Sequence, residues 1–295
     1  MRYQHMLHTS ILLRAAPLQP KSMKTMPVIT TGALSPCVLA LLLLLPTLAR
    51  AQGGPPFLTN DPGTPGDTNW EINLGSMQSF ARGASSYQVP QLDINLGLGD
   101  RIQLTYEIPY ALQAGAGEPS HSGWGNAFSG VKWRFLDQGE QGWQLSTFPQ
   151  IETGVSAHAQ LTGIGIAGPR YLVPLEVART LGPLQLNAEA GYYIPGHGPK
   201  ERILGFVAGR PVTSRLELDA EIYDDRTYEG SFGTGSHATT LDLGGRYQLR
   251  PGIIALFLAG RSLNGIADGQ PEFLGYLGVQ ILLSNYGRTL NNLQH

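Results

Sequence analysis

Carboxylates dominate the residues that could do chemistry in this chain. Glu71, Asp93, Glu107, Glu152, Glu176, Glu189, Glu217, Asp219, Glu221 and Asp242 stand among aliphatic residues in alternating runs, with Lys132, Arg134 and Arg246 as basic counterparts. Turn lengths imply two like-charge pairs. A three-residue turn at 99–101 sets Leu98 opposite Ile102, and therefore Asp93 opposite Glu107. A two-residue turn at Gly182-Pro183 sets Glu176 opposite Glu189. Close carboxylates do not both ionise easily unless one keeps a proton, a Lys or Arg reaches across, or a cation binds. Ten acids against three bases on one surface predict a preference for cations.

Catalytic groupings are weaker. His121, His158, His197 and His237 fall in predicted external loops, one per loop, and His295 is terminal. Ser120-His121-Ser122 and Ser236-His237 place hydroxyls beside imidazoles, but neighbours in sequence do not make a nucleophile–base dyad. Lone loop histidines predict neither a metal site nor a cofactor. Gly163-Ile164-Gly165-Ile166-Ala167-Gly168 lacks the following helix that a dinucleotide site needs. The single cysteine, Cys37, lies in the N-terminal extension and leaves the rest of the chain without a disulfide.

The elements that must position these groups are strands. Of 295 residues, 14% are charged and 38 are glycine, against roughly 25% charged and about 7% Gly in ordinary soluble domains. A net charge of −2 gives no basic footprint for nucleic acid. Strict two-residue alternation marks segments such as Leu92–Leu98, Ile102–Ile108, Leu184–Ala190 and Arg215–Ile222. Twelve segments are predicted, at 68–80, 87–98, 102–114, 126–137, 143–155, 170–181, 184–195, 202–212, 215–229, 237–249, 252–263 and 272–283. Two of them, 202–212 and 252–263, alternate poorly. Tight connections at 99–101, 137–142, 182–183, 212–214 and 250–252 interleave with longer ones at 81–86, 115–125, 156–169, 196–201, 230–236 and 264–271. Short periplasmic turns and longer external loops are the rhythm of an outer-membrane barrel. The expected fold is therefore all-β: a closed antiparallel transmembrane β-barrel of about 12 strands. The aliphatic parity faces lipid, which places the carboxylates and the three bases in the lumen. Trp70, Tyr87, Tyr110, Trp143, Tyr171, Tyr192 and Tyr247, toward strand ends, are placed to form interfacial girdles.

The N-terminus reads as an address. Lys21 and Lys24, the apolar run Val38–Leu45 and Ala49-Arg50-Ala51 make a secretory signal peptide with a cleavage site. The chain thus divides into 1–51, extension and signal; 52–67, rich in Pro and Gly; 68–283, the barrel; and 284–295, a tail. The 52–67 segment begins on the periplasmic side. Its apolar Phe57 and Leu58 are expected to fold into the lumen and narrow it, with Asp61 meeting Lys132 or Arg134.

Pro55-Pro56-Phe57-Leu58-Thr59-Asn60-Asp61-Pro62, Asn69-Trp70-Glu71-Ile72-Asn73, Leu241-Asp242-Leu243-Gly244-Gly245-Arg246-Tyr247 and Leu274-Gly275-Tyr276-Leu277-Gly278 together resemble a family of bacterial outer-membrane proteins. This is the MetA-pathway of phenol degradation type, whose members are labelled transporters. The family more often has two Asp after the Thr, where this chain has Asn60 first. The resemblance implies a porin-like outer-membrane transporter for small apolar or aromatic compounds. Its partners would be outer-membrane lipid and a small-molecule solute. A barrel enzyme with a loop-borne His site and a plugged structural barrel remain the alternatives.

Overall fold

The computed structural model describes residues 54–115, 119–139, 142–166, 168–196, 200–228 and 235–284. Residues 1–51, where the extension and signal are expected, lie outside them, as do His197, His295 and all but one residue of the 284–295 tail. Alternating apolar and polar residues produce strands along nearly the whole described chain: β1 (Trp70–Ala81), β2 (Ala84–Leu98), β3 (Ile102–Gly115), β4 (His121–Trp124), β5 (Phe128–Asp137), β6 (Trp143–Thr147), β7 (Gln150–Glu152), β8 (Arg170–Leu181), β9 (Leu184–Pro195), β10 (Lys200–Pro211), β11 (Leu216–Tyr228), β12 (His237–Arg250), β13 (Ile253–Ser262) and β14 (Phe273–Leu283). Both β4 and β5 pair with β3, and both β6 and β7 pair with β5 and β8, so these four segments form two interrupted strands. The sheet is thus twelve-stranded and antiparallel. It closes where β1 pairs with β14, from Trp70↔Leu283 to Phe80↔Phe273, leaving no free edge.

Alternation sorts the two faces. Leu204 and Phe206 of β10, Ile222 of β11, Leu243 of β12 and Leu277 of β14 stand exposed on the outside, with Leu243 at 62% and Leu277 at 64%. Their sequence neighbours of opposite parity are buried inside. A wall with an apolar exterior and polar interior suits a barrel surrounded by hydrocarbon. Trp70, Trp143, Tyr171, Tyr192 and Tyr247 are exposed, while Tyr87 and Tyr110 are half-buried. Phe80 and Tyr87 pack edge-on, as do Tyr110 and Trp124.

The structure corrects several connections. Ala84, Ser85 and Ser86 are strand rather than loop, because each backbone pairs with β1 on one side and β3 on the other. The first external connection is therefore the tight turn Arg82-Gly83, with Gly83 at φ 77°, a left-handed position that favours glycine. His121 is a strand residue rather than a loop residue, and His237, grouped with the loop histidines though it heads the predicted 237–249 segment, opens β12. The 143–155 strand breaks at Phe148-Pro149 and ends at Glu152, since proline has no N–H for the ladder. The 156–169 connection contains a one-turn helix, α1 (Ala157–Leu161), capped by the Ser156 side chain. Segments 202–212 and 252–263 do form strands, β10 and β13. Their alternation is poor because Ile203, Val207, Leu256 and Leu258 make the inner face apolar as well.

The 153–166 connection is held by one buried side chain. Asn126 Nδ2 donates to the carbonyls of Thr153 (2.7 Å) and Ile166 (3.1 Å), and its Oδ1 accepts from the Ile166 N–H (2.9 Å). Asn126→Ala orphans these groups, at about 1–3 kcal/mol each when buried. Faster proteolytic clipping within 153–166, with the barrel intact, is the expected result. Unchanged protection would contradict the clamp.

Candidate functional site

The inner wall is built by parity. Each inward side chain is two residues from the next on its strand, about 6.6 Å along the wall. The turn geometry fixes the predicted pairs: Asp93 lies opposite Glu107 and Glu176 opposite Glu189. Around them the wall is polar and largely buried. Asp93 accepts from Asn73 Nδ2 (2.9 Å) and Asn95 Nδ2 (3.0 Å), Glu71 accepts from Asn73 Nδ2 (3.0 Å), and Glu107 accepts from Gln91 Nε2 (2.6 Å). Lys132 Nζ reaches within 3.6 Å of Glu176, which also accepts from the Ser146 hydroxyl. Arg246 lies 3.8 Å from Glu217 and 3.9 Å from Asp219. Glu152 pairs with Arg170, whose Nη1 is 2.5 Å from Glu201. Asp242 accepts from Thr240 (2.7 Å). Arg134 sits near the short-turn end, donating to the Asp100 carbonyl (2.6 Å) and pairing with Asp137 (3.2 Å).

The Pro- and Gly-rich segment lies against this wall. Pro56, Thr59 and Pro62 are fully buried, and Phe57 and Asp61 nearly so. Its backbone is gripped by wall side chains distant in sequence. The Leu58 and Thr59 N–H groups donate to the two Glu221 oxygens (3.2 and 2.7 Å), and Asn60 N–H donates to Glu189 (2.7 Å). Lys132 Nζ donates to the Asp61 carbonyl (2.5 Å), and Arg246 Nη2 to those of Gly54 (3.2 Å) and Pro55 (3.0 Å). The expected meeting of Asp61 with Lys132 thus includes a main-chain contact. The Asp61 carboxylate accepts from Gly63 N–H (2.6 Å), and Arg134 is held by Asp100 and Asp137 instead. Hydrogen bonds to charged partners contribute about 1.5–3 kcal/mol each.

Phe57 packs into an apolar patch on β10, β13 and β14, formed by Val207, Leu256, Leu258, Leu274 and Tyr276, with Leu58, Met77 and Ile254 against its edge. Burying such a ring contributes about 1.5–3 kcal/mol. The segment approaches β10 so closely at Gly205 that any Cβ there would overlap Thr59. Gly205→Leu is therefore expected to eject the segment and expose it to protease while the barrel stays folded. Continued protection in this variant would contradict the seat.

Beside the segment a cavity of about 770 Å³ remains, lined by Glu71, Asp93, Glu107, Gln91 and Asn95 among others. Arg170, Glu201 and Asp225, absent from the predicted lining, also take the inward parity. Arg170 shares its parity with Glu176 and Asp225 with Glu221, a signal that was readable.

The histidines do not converge. His121 and His158 are exposed. His237 Nε2 lies 2.6 Å from Asp224 and 3.3 Å from the Thr239 hydroxyl, while Ser236 donates to Thr227 and Ser122 bonds Tyr110. Among the described residues no cluster of three or more His, Cys, Asp or Glu could hold a metal ion.

No family model matches the chain, and no curated protein matches it. Solved structures do. An outer membrane channel from Pseudomonas putida F1 is 13% identical, with a TM-score of 0.59, covering 79% of this chain and all of that one. The NanC porin is 10% identical, with a TM-score of 0.53, covering 71% of this chain and 98% of that one. At these identities the likeness is one of fold: a twelve-stranded barrel of the outer-membrane kind.

Proposed function

We propose that this chain is a bacterial outer-membrane channel for small molecules, exported by a signal peptide within residues 1–51 and narrowed by its own N-terminal segment. The observation that carries the reading is the inner wall. A polar, acid-rich surface encloses a cavity of about 770 Å³ beside a segment held by hydrogen bonds to Glu189, Glu221, Lys132 and Arg246. Interiors are polar in open and plugged barrels alike, so the cavity left beside the segment is what favours passage. The resemblance to the MetA-type transporters and the two solved outer-membrane barrels support the same class. The apolar patch under Phe57 supports apolar or aromatic solutes, because it offers them a surface whenever the segment leaves. Passage is favoured over catalysis in this reading: among the described residues, the histidine paired with an acid, His237, meets Thr239 rather than a serine.

The acid-rich wall predicts cation preference. Asp93 and Glu107 face the open cavity with amide partners, whereas Glu176, Glu217 and Asp219 are partly offset by Lys132 and Arg246. Reversal potentials of the refolded protein in a salt gradient test this. The expected sign is cationic, and Asp93→Asn with Glu107→Gln is expected to reduce it. Anion preference in the unsubstituted protein would overturn the proposal for the wall.

A further inference from the structure

The outer face of β8–β11 carries a groove that passage through the lumen does not use. Ala188 and Ala190 of β9 point outward, directly opposite Val177 and Leu175 of β8 on one side and Phe206 and Leu204 of β10 on the other. Two short side chains between larger ones leave a groove of about 360 Å³ that runs to Ile222 and Asp224. Toward the long-loop end this face turns basic. Arg202 lies opposite Arg226, and Arg226 opposite His237, while Lys200 stands exposed one outward position beyond Arg202. Asp224 offsets part of the charge. It accepts from Arg202 (3.1 Å) and Thr239 (2.9 Å) and meets His237. The Nε groups of Arg202 and Arg226 are shielded from solvent and make no hydrogen bond among the described residues.

We propose that this face binds a phosphorylated, multi-acylated lipid of the outer leaflet, with an acyl chain in the Ala188–Ala190 groove and a phosphate on Arg202, Arg226 and Lys200. The inference rests on the outer-membrane reading above. Apolar groove and cationic rim adjoin in the order that acyl chain and headgroup would meet them, and basic clusters at a membrane surface attract anionic headgroups. A second copy of the chain fits less well, since it would bring the same cations to the same rim.

The test is native mass spectrometry of the full chain in zwitterionic detergent. The probes are lipid A, the same lipid stripped of its phosphates, and inorganic phosphate. Lipid A is expected to remain bound. R202Q with R226Q is expected to weaken it roughly thirtyfold, and A190F, which fills the groove, is expected to weaken it as well. Equal retention of the phosphate-free lipid, or unchanged binding by the double variant, would overturn the site. Binding of inorganic phosphate together with A190F-insensitive lipid binding would reassign it to free phosphate. A dimer lost in A190F with no lipid retained would reassign it to a second copy. Conductance recorded on the same preparations reports the channel separately, so failure of the lipid site and failure of the channel are distinguishable.

Discussion

Removing residues 54–62 is expected to raise single-channel conductance several-fold while the barrel still folds. The segment occupies the lumen along β9–β13, where it contacts Glu189, Val207, Glu221, Arg246 and Leu256. Its loss would join that volume to the existing cavity. The barrel does not depend on it for closure, because β1 pairs with β14 and β2 from Trp70 onward. The deletion also uncovers the apolar patch beneath Phe57, so apolar aromatic solutes are expected to block the widened pore more strongly than polar ones. Bilayer recordings of the two proteins side by side check both effects. Equal conductance would show that the segment does not limit the path.

Glu189→Gln with Glu221→Gln is expected to leave the segment in place only part of the time. The two carboxylates accept from three successive backbone N–H groups, at Leu58, Thr59 and Asn60. An amide retains one acceptor oxygen but loses the charge, and neutral hydrogen bonds contribute only about 0.5–1.5 kcal/mol. A combined loss of about 2–3 kcal/mol shifts the seated population roughly 30- to 150-fold. Fixing each residue of the segment costs about 1–2 kcal/mol in backbone entropy, so the seat depends on the sum of its contacts. Recordings are expected to flicker between the unsubstituted level and that of the deletion. A steady unsubstituted level would contradict the clasp.

Much of this architecture is legible in the residues. Alternation such as Leu184–Ala190 marks strands and assigns their faces, and the Gly99–Arg101 turn alone sets Asp93 opposite Glu107. The failures are informative in physical terms. β10 and β13 alternate poorly because Val207, Leu256 and Leu258 line an inward apolar patch, and that patch is where Phe57 packs. Read that way, the weakest strands in the sequence point to the seat of the segment. Ala84–Ser86 look like loop because small residues dominate, yet pairing on both sides overrides local preference. The grip on the segment was not legible. It runs from backbone N–H groups to carboxylates more than a hundred residues away, and no side-chain pattern encodes such a contact.

The central claim, that the N-terminal segment lies inside the conducting path, is tested most directly by one thiol. Asn60 lines the cavity, and the sole cysteine, Cys37, falls within the proposed signal peptide and is replaced by Ser in the same background. In Asn60→Cys, a charged thiol reagent added during a single-channel recording should drop the current in one step that a reductant reverses. Complete labelling with no change in current would place the segment outside the path and contradict the account.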